Sequence, residues 1–512
     1  MGSPWAIKES RRTDQLYPGV TAVTMSTLPD DILVYIFKLY LDQPWKIDAW
    51  HTLVHVCQHW RYVVFASPRY LNLRLLCTPR RPVMVALNIW PGLPLVIESV
   101  AEEKQPGARG MGNMANIIAA LVHHNRVSKI NIRDIPNSLL RLFASINKPF
   151  TALTELEVVS RDKVAPIVSD SFLGGSTPCL RSLRLAGIAF PALPKLLSST
   201  NDLIYLGLWN IPNSGYISPE AMVACLTVLT KLNSLSLWFQ FPRSRDDQAS
   251  RHAPPLTRIV LPALTSLEFN GHSRYLENLL SLIDAPLLGS VNITFDQPIF
   301  DTPLLRHLIS HTEAFMAINR ANIDFSPFGI EVTFFRQKGT LDGKAFKLGV
   351  TCEPSDWQLS AVAQLCVSSI PPMPTLEQLT INGDRVRLWR DDIGAPQWLE
   401  LLYPFTSVKY LVLSRRLVRF VTPALEELTG NGVIELLPML QHLFLEDPWL
   451  SEAVRKGIKK FIAARQLFGR PITVNAAEIG PITDGDLLFD ECELFGNNFR
   501  PSTIMTCPPP LR

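Results

Sequence analysis

Three histidines four residues apart, His51, His55 and His59, stand beside Cys57, a set of nitrogen and sulfur donors that could hold zinc. Read as one helix, the segment argues against that use. At about 100° per residue from Trp50, the histidines fall near 100°, 140° and 180°, and Cys57 falls near 340°. The thiol then shares an apolar stripe with Trp50, Leu53, Val54, Trp60 and Val64, while the imidazoles face solvent or a partner. The run Gly110-Met111-Gly112-Asn113-Met114-Ala115 matches the G-x-G-x-x-A dinucleotide fingerprint, and Asp134 ends the next strand. That fingerprint needs a strand running into its first glycine, and the charged stretch Ser99–Arg109 stands there instead, so an ordinary loop before a helix is expected. His307 and His311 have the spacing of a helical zinc pair, but Leu308 occupies the place of the general-base glutamate. Arg415, Arg416 and Arg419 form a small basic group that reads as solvated surface. There is no G-x-S-x-G elbow, no G-x-x-x-x-G-K phosphate loop and no cluster of catalytic carboxylates. The expectation is a protein without enzymatic activity, cofactor or metal.

Composition narrows the class further. The chain has 512 residues, of which 47% are hydrophobic and 19% charged, so it can build a large core. Its net charge of +3 is too small for a dedicated nucleic-acid binder. Forty-one prolines favour many short elements over long helices. The eight cysteines are scattered, with no Cys-x-x-Cys pair, which fits neither a zinc cluster nor a disulfide framework. The opening MGSPWAIKESRRTD lacks the apolar centre of a signal peptide, and the most apolar stretch, Pro82–Ile97, is broken by Asn88, Pro91 and Pro94. A reduced intracellular setting, cytoplasmic or nuclear, is expected, with no membrane association.

Two kinds of element must organise these residues. Within Ser26–Ser67 lie two amphipathic helical patterns joined by a polar connection. The first opens with Thr27 and Asp30 at capping-box spacing and with Pro29 in the first turn. Ile32, Leu33, Ile36, Phe37 and Tyr40 gather on one side of it. The second carries the Trp50-to-Val64 stripe. The string Leu28-Pro29-Asp30-Asp31-Ile32-Leu33-x-x-Ile36-Phe37, followed by Val56-Cys57-Gln58-His59-Trp60-Arg61, resembles the F-box, and Trp50–Cys77 is similar to a large fungal F-box group. The connection Leu41–Ala49 is longer than the usual pattern. The resemblance implies docking on the Skp-family adaptor of SCF ubiquitin ligases. It also implies that Leu28, Pro29, Ile32, Leu33, Ile36, Phe37, Val54, Cys57 and Trp60 form or support the docking surface.

Behind this module one phrase keeps returning, L-x-x-L-x-L with an apolar residue at each marked place. It occurs at Leu153-x-x-Leu156-x-Val158, Leu180-x-x-Leu183-x-Leu185, Leu203-x-x-Leu206-x-Leu208 and Leu232-x-x-Leu235-x-Leu237, and again at Leu376, Val408 and Leu440. Successive centres lie 23 to 32 residues apart, the period and signature of leucine-rich repeats. In a short strand such a phrase sends two side chains inward and the spacers outward. One repeat cannot bury its own apolar face, whereas a stack can. The segment Phe315–Val350 fits least and is expected to hold divergent repeats, and Leu450–Phe468 is expected to cap the last strand.

The expected fold is therefore a helical F-box module followed by a leucine-rich-repeat-like α/β solenoid. Its curved parallel sheet would have about eleven strands across roughly 50 Å. The expected domains are an N-terminal tail (1–24), the F-box (25–72), a linker with the first strand (73–112), the repeats (113–474) and a C-terminal tail (475–512). The function this implies is substrate recognition for an SCF-type ligase, with the adaptor and through it a cullin on one side and a protein substrate on the other. A non-degradative scaffold, whose F-box caps the repeats or binds the adaptor without ubiquitin transfer, is the alternative.

Overall fold

The computed structural model describes residues 28–42, 48–79, 83–90, 92–99, 114–160, 162, 167–240, 258–296, 301–336, 344–351, 358–383, 395–428, 432–446 and 451–475. The expected N-terminal tail, the C-terminal tail beyond Asn475, Thr27 of the capping box, residues 43–47 of the long connection and residues 110–113 of the glycine run lie outside them. The chain divides into two compact units, Met1–Ile132 and Arg133–Arg512.

In the first unit, helix α1 spans Asp30–Leu41. Pro29 sits just before it rather than in its first turn, and the Leu33 N–H donates to the Pro29 carbonyl at 3.1 Å. Asp30 and Asp31 place negative charge at the helix's positive end. The second expected helix is two helices, α2 (Trp50–Val54) and α3 (Gln58–Ala66). Cys57 makes the break. Its backbone is extended, and its Sγ accepts the Trp60 N–H at 3.4 Å, so it is the N-cap of α3. A helical wheel through residues 50–64 does not describe this segment, and Cys57 is exposed rather than on an apolar stripe.

The remaining elements of this unit are β1 (Leu75–Cys77), α4 (Val83–Ile89), β2 (Leu95–Glu98), α5 (Met114–Val122) and β3 (Val127–Ile132). The strands pair in parallel in the order β1-β2-β3, with Leu75 beside Leu95 and Cys77 beside Ile97, which in turn lies beside Ile130. Two strands, where one was expected, thus lie in the segment 73–112. Trp50 is fully buried, and its indole N–H donates to the Arg74 carbonyl at 2.8 Å, tying α2 to the residue that precedes β1.

The second unit is built around the L-x-L strands. Its strands are β4 (Glu155–Val159), β5 (Ser182–Ala186), β6 (Tyr205–Ile211), β7 (Ser234–Phe239), β8 (Ile259–Val260), β9 (Ser266–Gly271), β10 (Ile283–Asp284), β11 (Ser290–Phe295), β12 (Ile318–Ser326), β13 (Gly329–Arg336), β14 (Lys344–Thr351), β15 (Gln378–Asn382), β16 (Tyr410–Leu413), β17 (His442–Leu445) and β18 (Thr473–Asn475). The short β8 and β10 pair with each other, and the rest run β4-β5-β6-β7-β9-β11-β14-β13-β12-β15-β16-β17-β18. The apolar residues stack in register. Leu156, Leu183, Leu206, Leu235, Leu267 and Val291 make one row, and Val158, Leu185, Leu208, Leu237, Phe269 and Ile293 the next. None of these is more than 2% exposed. Each such side chain contributes about 1.5–3 kcal/mol of burial, so the rows are the core of the unit. Helices between strands, among them Pro219–Leu226 and Ser273–Leu282, bury their apolar faces in the same interior. The unit is a mixed α/β repeat array with leucine-rich-repeat-like stacking.

The irregular middle corrects the expectation of divergent parallel repeats. From β11 the chain crosses to lay β12 parallel to β15, then returns through antiparallel β13 to β14, which closes in parallel on β11. The apolar row passes through this meander unbroken, as Val291, Phe346, Phe334, Ala321 and Leu379. The turn into β13 requires Gly329, since a Cβ there would sit 2.3 Å from the Val350 carbonyl oxygen. The far end differs too. The expected capping helix, Glu452–Leu467, is a crossover, and β18 continues the sheet beyond β17. Arg465 on that helix is fully buried. Its guanidinium donates to the carbonyls of Leu436, Leu437, Leu440 and Arg470 at 3.2 to 3.3 Å.

Candidate docking surface

Helix α1 is apolar on two sides, one buried and the other largely exposed among the described residues. With Ile32 at zero, Leu33 and Phe37 fall near 100° and 140° on the wheel. Both are buried, at 0% and 1% exposure, and the Phe37 ring lies 4.8 Å from that of Trp60. Tyr35, Leu39, Ile32, Ile36 and Tyr40 span an adjoining arc of about 140°. On that arc Ile32 is 44% exposed, Tyr35 56% and Leu39 58%, while Ile36 is half-buried. At the head of the helix Leu28 is half-buried and Pro29 exposed, and Val56, between α2 and α3, is exposed as well.

The expected docking residues therefore separate by role. Leu28, Pro29, Ile32 and Ile36 offer surface, and Cys57 is exposed as a cap. Leu33, Phe37 and Val54 are interior and can only support that surface, with the half-buried Trp60 packed against Phe37. Polar contacts hold the frame. The Arg61 Nε donates to the Val54 carbonyl at 3.0 Å, His59 Nε2 lies 3.2 Å from an Asp30 oxygen, and the Lys38 ammonium sits 4.6 Å over the Tyr70 ring. An exposed pair such as His59–Asp30 contributes about 0.2–1 kcal/mol, so apolar packing decides the geometry. Tyr35 and Leu39 were missed as surface residues. Their place on the Ile32 side of the wheel was the available signal.

The other constellations do not converge. His51 stacks on Trp90 at 5.0 Å, His55 meets the same ring edge-on at 6.3 Å, and His59 turns to Asp30. The rings of His307 and His311 are 3.9 Å apart on helix Pro303–His311, and His311 Nδ1 lies 2.9 Å from the His307 carbonyl. Arg419 lies over the Phe420 ring. Among the described residues no group of three or more His, Cys, Asp or Glu is placed to hold a metal ion. Burial pushes the Cys77 thiol up to about 11 against a smaller opposing effect of Arg126, and burial pushes Cys366 up to about 12, so neither is a nucleophile near neutral pH. Among the described residues no helix is long and apolar enough to cross a membrane.

No protein-family model matches this chain, and no curated protein matches it. Among solved structures it is similar to the leucine-rich repeat-containing protein LegL7 from Legionella pneumophila. That match has 13% identity and a TM-score of 0.23, over 76% of this chain and 97% of that one. The overlay is loose, and the repeat architecture stands on the strand register of this chain.

Proposed function

We propose that this protein is a non-enzymatic adaptor. Helices α1 to α3 form an F-box that docks on a Skp-family adaptor with a cullin behind it, and the repeat array holds a protein substrate for ubiquitin transfer by an SCF-type ligase. The observation that carries this reading is the open arc of α1. Ile32, Tyr35 and Leu39 are exposed and Ile36 half-buried beside a second, buried apolar face, and an apolar patch of this kind marks an interaction surface. Covering them would contribute about 1 kcal/mol each, since part of their surface is already hidden, and that suits a partner. The arc coincides with the Leu28, Pro29, Ile32 and Ile36 positions of the motif. The chain would act by proximity, raising the effective concentration of substrate lysines, with no chemistry of its own.

The test is co-purification with the Skp-family adaptor. Replacing Leu28, Pro29 and Ile36 together by Ala should abolish capture while the circular dichroism melt stays unchanged, and undiminished capture would sink the docking assignment. A scaffold without ubiquitin transfer is the second reading, supported by the Trp50 bond to the Arg74 carbonyl, which also suits α2 to covering a strand edge. Recovery of a cullin together with the adaptor favours the ligase reading, and adaptor without cullin favours the scaffold.

A further inference from the structure

In the second unit the spacer residues share the sheet face opposite the leucines, and over β4 to β11 they are wired together. The Arg133 Nε and an Arg184 guanidinium nitrogen donate to the two oxygens of Glu157 at 3.0 and 3.2 Å. The Arg184 guanidinium lies 4.9 Å from the centre of the Tyr205 ring and 4.5 Å from that of Trp209. Trp209 donates its indole N–H to the Ser236 hydroxyl at 2.6 Å, and that hydroxyl donates to Glu268 at 2.7 Å. Gly207 makes this possible, because a Cβ there would stand 2.8 Å from the Tyr205 ring, which lies flat over the strand.

Two properties of this face select a partner. Its rings are already fixed by the arginine, the serine and the glycine, so a ligand resting on them immobilises few rotamers, and Trp, Tyr and Arg are the residue types that dominate binding hot spots. Its named charges balance within the face. Arg133 and Arg184 stand against two carboxylates, Glu157, which accepts from both arginines, and Glu268, which accepts from Ser236. A partner that brings net charge gains nothing here. What stays open is neutral. Ser234, Ser266 and Ser290 line up beside Tyr205 in register, and Asn270 lies beside Trp238; Ser290 is exposed and the other three are half-buried. Hydroxyl and amide groups both donate and accept, as peptide groups do, and recur at about 4.8 Å from strand to strand.

We infer that the β5–β9 part of this face binds an extended protein segment of near-zero net charge. An apolar side chain of the segment rests on Trp209 and Trp238, and its peptide groups cross the serine row. This deepens the reading of the repeats as the substrate-holding part and rests on it. The probe is a phage-displayed library of random dodecapeptides, selected on the full chain. Enriched peptides should carry a net charge within one unit of zero and an aromatic or large aliphatic residue, and Trp209→Ala and Trp238→Ala should each weaken them at least tenfold. Since Trp209→Ala also frees Ser236, Ser266→Glu provides a gentler variant that adds one charge to the floor; it should weaken binding at least fivefold with an unchanged melt. Strongly charged peptides, binding that survives all three substitutions, or no enrichment would each overturn the inference. Ile32→Asp on α1 should leave peptide binding intact, so a failure of adaptor docking is read separately from a failure here.

Discussion

Helix α1 and strand β6 are both rich in apolar residues and use them in opposite ways. In β6, Leu206 and Leu208 are buried, Gly207 lies between them, and Tyr205 and Trp209 flank them. In α1, Leu33 and Phe37 are buried but Ile32, Tyr35 and Leu39 are not. A leucine in the ladder has neighbours in register on both sides, whereas the outer arc of α1 leaves Ile32, Tyr35 and Leu39 exposed. The comparison separates apolar residues that hold the molecule together from those left for another molecule. Substitution should show it directly. Leu206→Ala should cost about 3–5 kcal/mol, through lost transfer energy plus a cavity the sheet cannot collapse around. Ile32→Ala should cost under about 0.5 kcal/mol, as exposed positions do, and yet weaken adaptor capture. Urea midpoints measured on both variants test the pair, and equal losses would erase the distinction.

Polar burial sharpens the same contrast. Arg465 is as deeply buried as the leucines, and its burial pulls its affinity for a proton below the ordinary arginine range. It is tolerated because four carbonyls surround it. Arg465→Met keeps much of the volume and strands those acceptors, so a loss of about 3 kcal/mol is expected. A variant as stable as the parent would mean that solvent reaches those carbonyls.

The sequence showed the ladder because each L-x-x-L-x-L phrase encodes its own inward side chains, and stacking like on like needs no distant information. It could not show that β13 runs backwards. The alternation Ile330, Val332, Phe334 reads the same in either direction, and only the Ser326–Gly329 turn hints at reversal. At the front, the motif residues were legible but their roles were not, since a helix apolar on two sides does not say which side faces in. The break between α2 and α3 was hidden as well, for no glycine or proline marks it and a cysteine is a rare cap. Cys57→Ser tests that break. As a cap, serine is at least as good an acceptor, so stability should hold or rise by about 0.5 kcal/mol. On the buried stripe of a single helix the same change would cost about 1 kcal/mol or more.

The smallest effect concerns a carboxylate that two influences pull in opposite directions. Glu277 accepts the Leu304 and Leu305 N–H groups at 2.8 and 2.9 Å, at the start of helix Pro303–His311, which favours its charged form. Burial outweighs them and raises its pKa above the ordinary 4.5. The folded protein then holds this proton more tightly than the unfolded chain, so the contribution of Glu277 to stability is largest below pH 4.5 and falls as pH rises through the raised value. Glu277→Gln cannot titrate. The stability of the parent relative to this variant should therefore decline from pH 4.5 towards neutrality, by less than any change above. Asp296, raised in the same direction by burial, contributes equally to both proteins and cancels in the difference. A difference that grows with pH would mean that the two N–H groups and the helix end, not burial, govern this carboxylate.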